Sequence, residues 1–178
     1  MNKLLVILLD DFQDIELTTF LSLVKKAQIF NQISFYNPKN KAVSGQFGIV
    51  KIEAQNHWQS SDFDAVFVPG GKAVQSLRTD QKTLNLINDF FENNKYVFAI
   101  CDAPNALYEQ NIAKNLKFSS YPIENSQNYQ NRVEDKVCKT GNYFSARNAD
   151  SATELAILVI EHLDSKEKAQ LILNQHQA

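Results

Sequence analysis

Three short, largely apolar runs, each ending abruptly on residues that do not continue a strand, constrain this chain more than any other feature. They are Leu4–Leu9, Asp64–Val68 and Tyr96–Ile100, followed in turn by Asp10-Asp11, Pro69-Gly70-Gly71 and Cys101-Asp102-Ala103-Pro104. Continuous apolar runs this short read as strands covered on both faces. Between them apolar residues recur at helical spacing. Leu17, Phe20, Leu21 and Val24 predict a helix from Ile15 to Ala27 with Asp14 as its cap, and Leu84, Ile87, Phe90 and Phe91 predict another between Asp80 and Asn93. Strands that alternate with helices pair in parallel through right-handed crossovers. The expectation is a three-layer α/β sandwich with a mostly parallel sheet, in one domain spanning residues 1–178.

The remaining segments fill in around that frame. Ile33–Tyr36 reads as a strand closed by Asn37-Pro38, and residues 42–43 and 49–52, around Gly45 and Gly48, as a small hairpin or bulged excursion. A helix should run from Pro104 to about Gln110, with short strands and turns across 116–146. A strongly apolar helix, Ser151–Leu163, is capped by Asp150 or Ser151, and an amphipathic helix closes the chain.

Composition removes several classes of function. The net charge is −2, and the densest basic feature is the pair Lys25-Lys26, too little for a phosphate-backbone footprint, so no nucleic-acid partner is expected. Leu4–Leu9 is too short for a signal peptide or a span and meets two aspartates at once, which argues against a membrane. Cys101 and Cys138 alone make no disulfide framework, so a reducing cytoplasm is the expected compartment. No nucleotide-binding glycine motif, zinc motif or His/Cys cluster occurs, so neither a cofactor nor a metal is expected.

In parallel sheets ligands bind beyond the carboxyl ends of the strands, which selects Asp10-Asp11, Pro69–Gly71 and Cys101. An acidic pair after a first strand can hold Mg²⁺ in a phospho-receiver, but no acceptor aspartate ends a later strand, so Asp10-Asp11 read as loop solvation. Cys101 stands where a strand turns sharply into a helix, and free amides and the helix dipole should acidify its thiol. Pro104 is tolerated in the first helical turn. The backbone N–H of Asp102, with a second amide from the Pro69-Gly70-Gly71 loop, could face an oxyanion. From position alone, Cys101 as a small buried hydrophobe stays equally open. Cys138, in a charged turn-flanked segment, reads as structural or incidental.

The strings VFVPGG (66–71), AICDAP (99–104) with Asn105-Ala106-Leu107 after it, and the early Asp14-Ile15-Glu16 resemble the ThiJ/PfpI family (the DJ-one superfamily). The helix SATELAILVIEHL (151–163), preceded by Ser145-Ala146-Arg147, resembles that family's last core helix, so the similarity runs in order along nearly the whole chain. It implies a flavodoxin-like, class I glutamine amidotransferase-like sandwich and a homodimer. It also implies that Cys101 is the reactive cysteine of a nucleophile elbow, that Glu16 is the carboxyl group in contact with its sulfur, and that the amides of Gly71 and Asp102 take oxyanion positions. Gly70 and Tyr121 line the site. A carboxylate would repel a thiolate, so the stable pair is a protonated Glu16 donating to S⁻.

Two positions depart from the family pattern. Tyr121-Pro122 stands where many members carry a histidine before the proline, and none of His57, His162 and His176 falls at a triad position. An unperturbed tyrosine is a poor base at neutral pH, which weakens amidase or peptidase chemistry. Asp102 replaces a small residue, and its carboxylate could cap the helix or turn inward and raise the thiol pKa. The expected function is cysteine attack on a small electrophile such as a reactive carbonyl, glyoxalase- or deglycase-like. The alternatives are a non-catalytic sensor whose Cys101 meets an oxidant before Cys138 does, and a binding scaffold without chemistry. A regulator that fuses such a domain to a helix-turn-helix module is not expected.

Overall fold

In the computed structural model, which describes residues 2–39 and 41–178, a six-stranded sheet runs in the order β2-β1-β5-β6-β10-β9. Met1 and Asn40, although inside the expected domain, lie outside the described residues. The strands are β1 (Lys3–Ile7), β2 (Gln32–Tyr36), β5 (Ala65–Val68), β6 (Tyr96–Ile100), β9 (Val137–Thr140) and β10 (Tyr143–Ala146). All pairs are parallel except β10 with β9. The three strands with parallel partners on both sides, β1, β5 and β6, carry the three apolar runs, because both of their faces are covered. Every residue of β5 is buried, as is β6 from Val97 onward.

Two helix layers cover the sheet. The helices α1 (Asp14–Lys26), α5 (Ala152–Leu163) and α6 (Lys166–Gln177) pack on one another, and α2 (Ala73–Leu77), α3 (Gln81–Glu92) and α4 (Ala103–Glu109) form the opposite layer. The split follows from topology: β1→β2 and β5→β6 step in opposite directions across the sheet, so right-handed crossovers put their helices on opposite faces. Aromatic rings fill the space beneath α1. Phe20 stacks on Phe67 at 4.2 Å, and Phe98 meets Phe20, Phe30 and Phe144. A short antiparallel hairpin, β3 (Ala42–Ser44) with β4 (Lys51–Glu53), stands off the main sheet, as does the parallel pair β7 (Phe118–Ser119) with β8 (Arg132–Val133).

Several local expectations change. The first strand stops at Ile7, although Leu8 and Leu9 stay buried. Asp14 is the first residue of α1 and not its cap; the Gln13 side chain accepts from the Ile15 N–H. The helix expected from Ser151 begins at Ala152 after a 3₁₀ turn, and the Ser151 hydroxyl donates to Asn148 Oδ1 at 3.0 Å without capping. Asp80 and Ser165 do cap α3 and α6, accepting from the Thr83 and Lys168 amides at 3.2 Å each. The five-residue α2, which begins two residues after Gly71, is not legible in the sequence. One and a half turns are too short to leave a periodic pattern.

Candidate active site

Cys101 directly follows β6 with φ +65°, a left-handed conformation that costs a non-glycine residue of order 1 kcal/mol or more and persists only when the surroundings impose it. They do so here from both sides of the residue. Its N–H donates to Ala146 O at 2.9 Å, and its carbonyl accepts from the Tyr121 N–H at 2.8 Å. The chain then turns at once into α4, with Pro104 in the first turn. This is the strand-to-helix elbow that the sequence indicates.

The residues around the sulfur come from two further segments and from the elbow itself. Glu16, in the first turn of α1, is fully buried, and its Oε2 accepts from the Gly70 N–H at 2.8 Å. Its Oε1 has no conventional hydrogen-bond partner, and the Cys101 thiol lies within hydrogen-bonding reach of the carboxyl group. The amides of Gly71 and Asp102 both point at the sulfur. Gly71 has φ +90°, and a Cβ there would lie 2.6 Å from Gln13 N and 2.7 Å from Asp11 O, so only glycine lets this loop come so close to the β1–α1 turn. Phe12 bridges to Gly71 on one side and to Gly45 on the other. One of the two amides at the sulfur is thereby tied through the β1–α1 turn to the hairpin.

Electrostatics make Glu16 and Cys101 a pair built for one negative charge. Burial pushes the Glu16 carboxyl up to about 7, against the hydrogen bonds from Gly70 and Cys101. Burial and an ionised Glu16 together push the Cys101 thiol well above the ordinary cysteine range, with the amides of Gly71 and Asp102 pulling the other way. A thiol acidified by the helix alone is therefore not what the site provides. The helix α4 has only seven residues, and burial outweighs the hydrogen bonds from the two amides. Ionising the sulfur requires the proton on Glu16, which removes the repulsion and adds an O–H donor.

Of the residues predicted for the site, Cys101, Glu16, Gly70, Gly71 and the Asp102 amide come together. Tyr121 contributes only backbone, and its ring is 46% exposed. The Asp102 carboxylate takes neither of the two orientations considered for it. It forms a two-pronged ion pair with Arg78, at 2.7 and 2.9 Å, and also accepts from Asn105 Nδ2 at 2.9 Å. The sequence does not mark Arg78, and Asn105 enters only within a string that resembles the family. Asn105 also donates to Tyr121 O at 2.9 Å and accepts from the Ser120 hydroxyl at 2.6 Å, holding the 119–121 segment against the elbow. A side-chain amide one turn after the elbow cysteine is the available signal. Arg78 left none.

The three histidines are engaged elsewhere. His57 packs on Trp58, His162 on Tyr96 and Phe144, and His176 meets the Thr153 hydroxyl. Asp10 pairs with Lys41, and Asp11 serves the fold through its backbone, donating to Ser44 O and accepting from the Ala73 N–H. Among the described residues no group of three or more His, Cys, Asp or Glu is placed to hold a metal ion. None of their helices is long and apolar enough to cross a membrane.

An elbow cysteine with a buried glutamate from the first helix is an arrangement that can be compared directly. The sequence model of the DJ-1/PfpI family matches residues 2–162. The chain belongs to the DJ-1/PfpI family. It is 35% identical over 163 residues to the uncharacterized protein MG029 of Mycoplasma genitalium, covering 90% of this chain and 87% of that one. It is 28% identical over 122 residues to protein/nucleic acid deglycase 2 of Escherichia coli, covering 67% and 70% of the two chains. The crystal structure of Drosophila melanogaster DJ-1beta superposes with a TM-score of 0.86 at 27% identity, over 100% of this chain and 99% of that chain. The α/β sandwich with its mostly parallel sheet is the fold of this DJ-1/PfpI group.

Proposed function

We propose that this DJ-1/PfpI protein acts through Cys101 on small reactive carbonyl compounds, in a glyoxalase- or deglycase-like reaction. The observation that carries the reading is the buried Glu16–Cys101 pair, its carboxyl group held by the Gly70 amide, with two backbone amides aimed at the sulfur. With the shared proton on Glu16, the Cys101 thiolate donates its electron pair to the carbonyl carbon and forms the C–S bond. The C=O π electrons move onto oxygen, where the amides of Gly71 and Asp102 stand nearest as donors. Glu16 delivers its proton to that oxygen, giving a hemithioacetal and leaving a carboxylate able to take a proton back in a later step. The deglycase name of the Escherichia coli relative supports the deglycase-like reaction. Amide hydrolysis is less well supported, because all three histidines are engaged away from the elbow.

The decisive experiment follows methylglyoxal consumption by the intact protein and by its Cys101→Ser and Glu16→Gln variants. Turnover that vanishes with Cys101→Ser supports the reading, and indistinguishable rates refute it. A second reading, an oxidation-sensing cysteine, is favoured by the same buried donors, which would hold a sulfinate oxygen as readily as an alkoxide. It requires Cys101 to oxidise well before Cys138 under mild peroxide, read by mass spectrometry. A homodimer, a single domain over residues 1–178 and a cytoplasmic location complete the proposal, all supported by family membership.

A further inference from the structure

We propose that Arg78 is a positioning residue for the Cys101 thiol: by gripping the Asp102 carboxylate it holds the amide that meets the sulfur and keeps a second negative charge turned away from it. This inference rests on the reading of Cys101 as the reactive group. Its geometry is nevertheless independent of any substrate.

Arg78 directly follows α2, whose other end begins just past Gly71. Asp102 directly precedes α4, and Glu109 ends it. Arg78 Nη1 and Nη2 donate to Asp102 Oδ2 and Oδ1 at 2.7 and 2.9 Å, and its Nε and Nη2 donate to Glu109 Oε2 and Oε1 at 2.6 and 3.2 Å. One guanidinium therefore fastens the short helix that starts at one sulfur-facing amide to both ends of the short helix that starts at the other. The side chains of Arg78 and Asp102 are only 17% and 11% exposed, so the pair is well shielded from solvent. Two-pronged recognition of this kind needs the planar fork of arginine, and lysine does not reproduce it.

The charges around the sulfur explain why such a clamp matters. Glu16 faces Cys101 from α1, Asp102 is its chain neighbour, and Gly70, Gly71 and Tyr121 bring only backbone. Around Arg78 itself stand Asp102, Glu109 and the Tyr129 hydroxyl, which donates to Glu109 Oε1 at 2.6 Å. An aspartate left free beside the cysteine would add a like charge to a site that already holds Glu16, and would oppose thiolate formation. With both its oxygens on Arg78, Asp102 keeps its amide at the elbow while its charge is balanced.

The test measures the rate of Cys101 alkylation by iodoacetamide against pH, read by mass spectrometry with Cys138 as an internal reference. Arg78→Gln should raise the apparent thiol pKa by about one unit, Asp102→Asn should lower it, and the double variant should return close to the wild-type profile. Arg78→Lys, which keeps the charge without the fork, should fall between wild type and Arg78→Gln. A merely structural salt bridge would change the unfolding midpoint while leaving these profiles in place. Profiles of folded variants that match wild type, or an Arg78→Gln shift that Asp102→Asn does not reverse, would overturn the clamp alone. If Arg78→Gln does not fold, Asp102→Asn decides alone: a lowered pKa supports the clamp, and an unchanged one overturns it. A wild-type Cys101 that never outreacts Cys138 at any pH would remove the reading of the site and the clamp together.

Discussion

The amide of Gly70 donates to Glu16 Oε2 at 2.8 Å, and the same residue leaves no room for a side chain between Glu16 and Cys101. A Cβ there would lie 2.5 Å from the Cys101 Cβ, 2.8 Å from Glu16 Oε2 and 3.0 Å from the Ile100 carbonyl. The obstruction includes backbone, so it cannot be relieved by one rotamer change. Gly70→Ala should therefore lower stability by about 1–3 kcal/mol in urea unfolding and also slow Cys101 alkylation by pushing carboxyl and thiol apart. A Gly70→Ala protein with wild-type alkylation kinetics would show that the spacing of the pair does not matter.

Stability should depend on pH through Glu16. Its carboxyl is pushed up from 4.5 to about 7 by burial, so the folded protein holds the proton more tightly than the unfolded chain. The resulting stabilisation is complete below about pH 4.5 and lost as the pH rises through about 7, a loss of up to about 3 kcal/mol. Glu16→Gln, a mimic of the protonated form, should flatten the wild-type slope across that window. Equal slopes in urea titrations of the two proteins would contradict the assignment.

Asp14 should behave in the opposite sense. Burial pushes its pKa up, but the Phe47 and Val50 amides, at 3.0 and 2.9 Å, outweigh burial and leave it lowered. Its contribution is thus present above the unfolded value of 3.8 and is lost as the pH falls through the folded value. At neutral pH Asp14→Ala should cost about 1–3 kcal/mol and speed amide exchange at Phe47 and Val50, the two proteins converging in acid. Gly45, whose added Cβ would collide with the Asp14 carboxyl, should tolerate alanine no better.

The aromatic core offers a control remote from the chemistry. Phe98 is fully buried on the central strand β6 and touches the rings of Phe20, Phe30, Tyr96 and Phe144. Phe98→Ala should cost about 3–5 kcal/mol. Ile49→Ser, at a side chain 80% exposed, should stay within about 0.5 kcal/mol. Comparable losses at the two positions, measured by urea unfolding, would mean that the core is not where the sheet places it.

Local pattern was a good guide wherever burial repeats along the chain. Tyr96–Ile100 is read from the sequence and found in the structure with the same bounds, because a strand covered on both faces must be apolar throughout. The same logic fails at Asp14. An aspartate before a helical stripe is the usual mark of a cap, and here its carboxylate is taken by the two amides of the hairpin loop, which lie more than thirty residues away. Glu16 shows the limit from the other side. Its helical position is legible, but its complete burial beside Cys101 was indicated only by the family resemblance.

Cys101 divides the two kinds of information most clearly. The apolar run before it and Pro104 after it place it, from sequence alone, on a sharp turn between a buried strand and a helix, since both are local and propensity-driven signals. Whether its sulfur ionises was decided by tertiary structure. That outcome depends on desolvation, on a carboxyl group eighty-five residues upstream, on two amides from separate loops and on the guanidinium that holds Asp102. Charges act through space and not along the chain, so no window of sequence contains them.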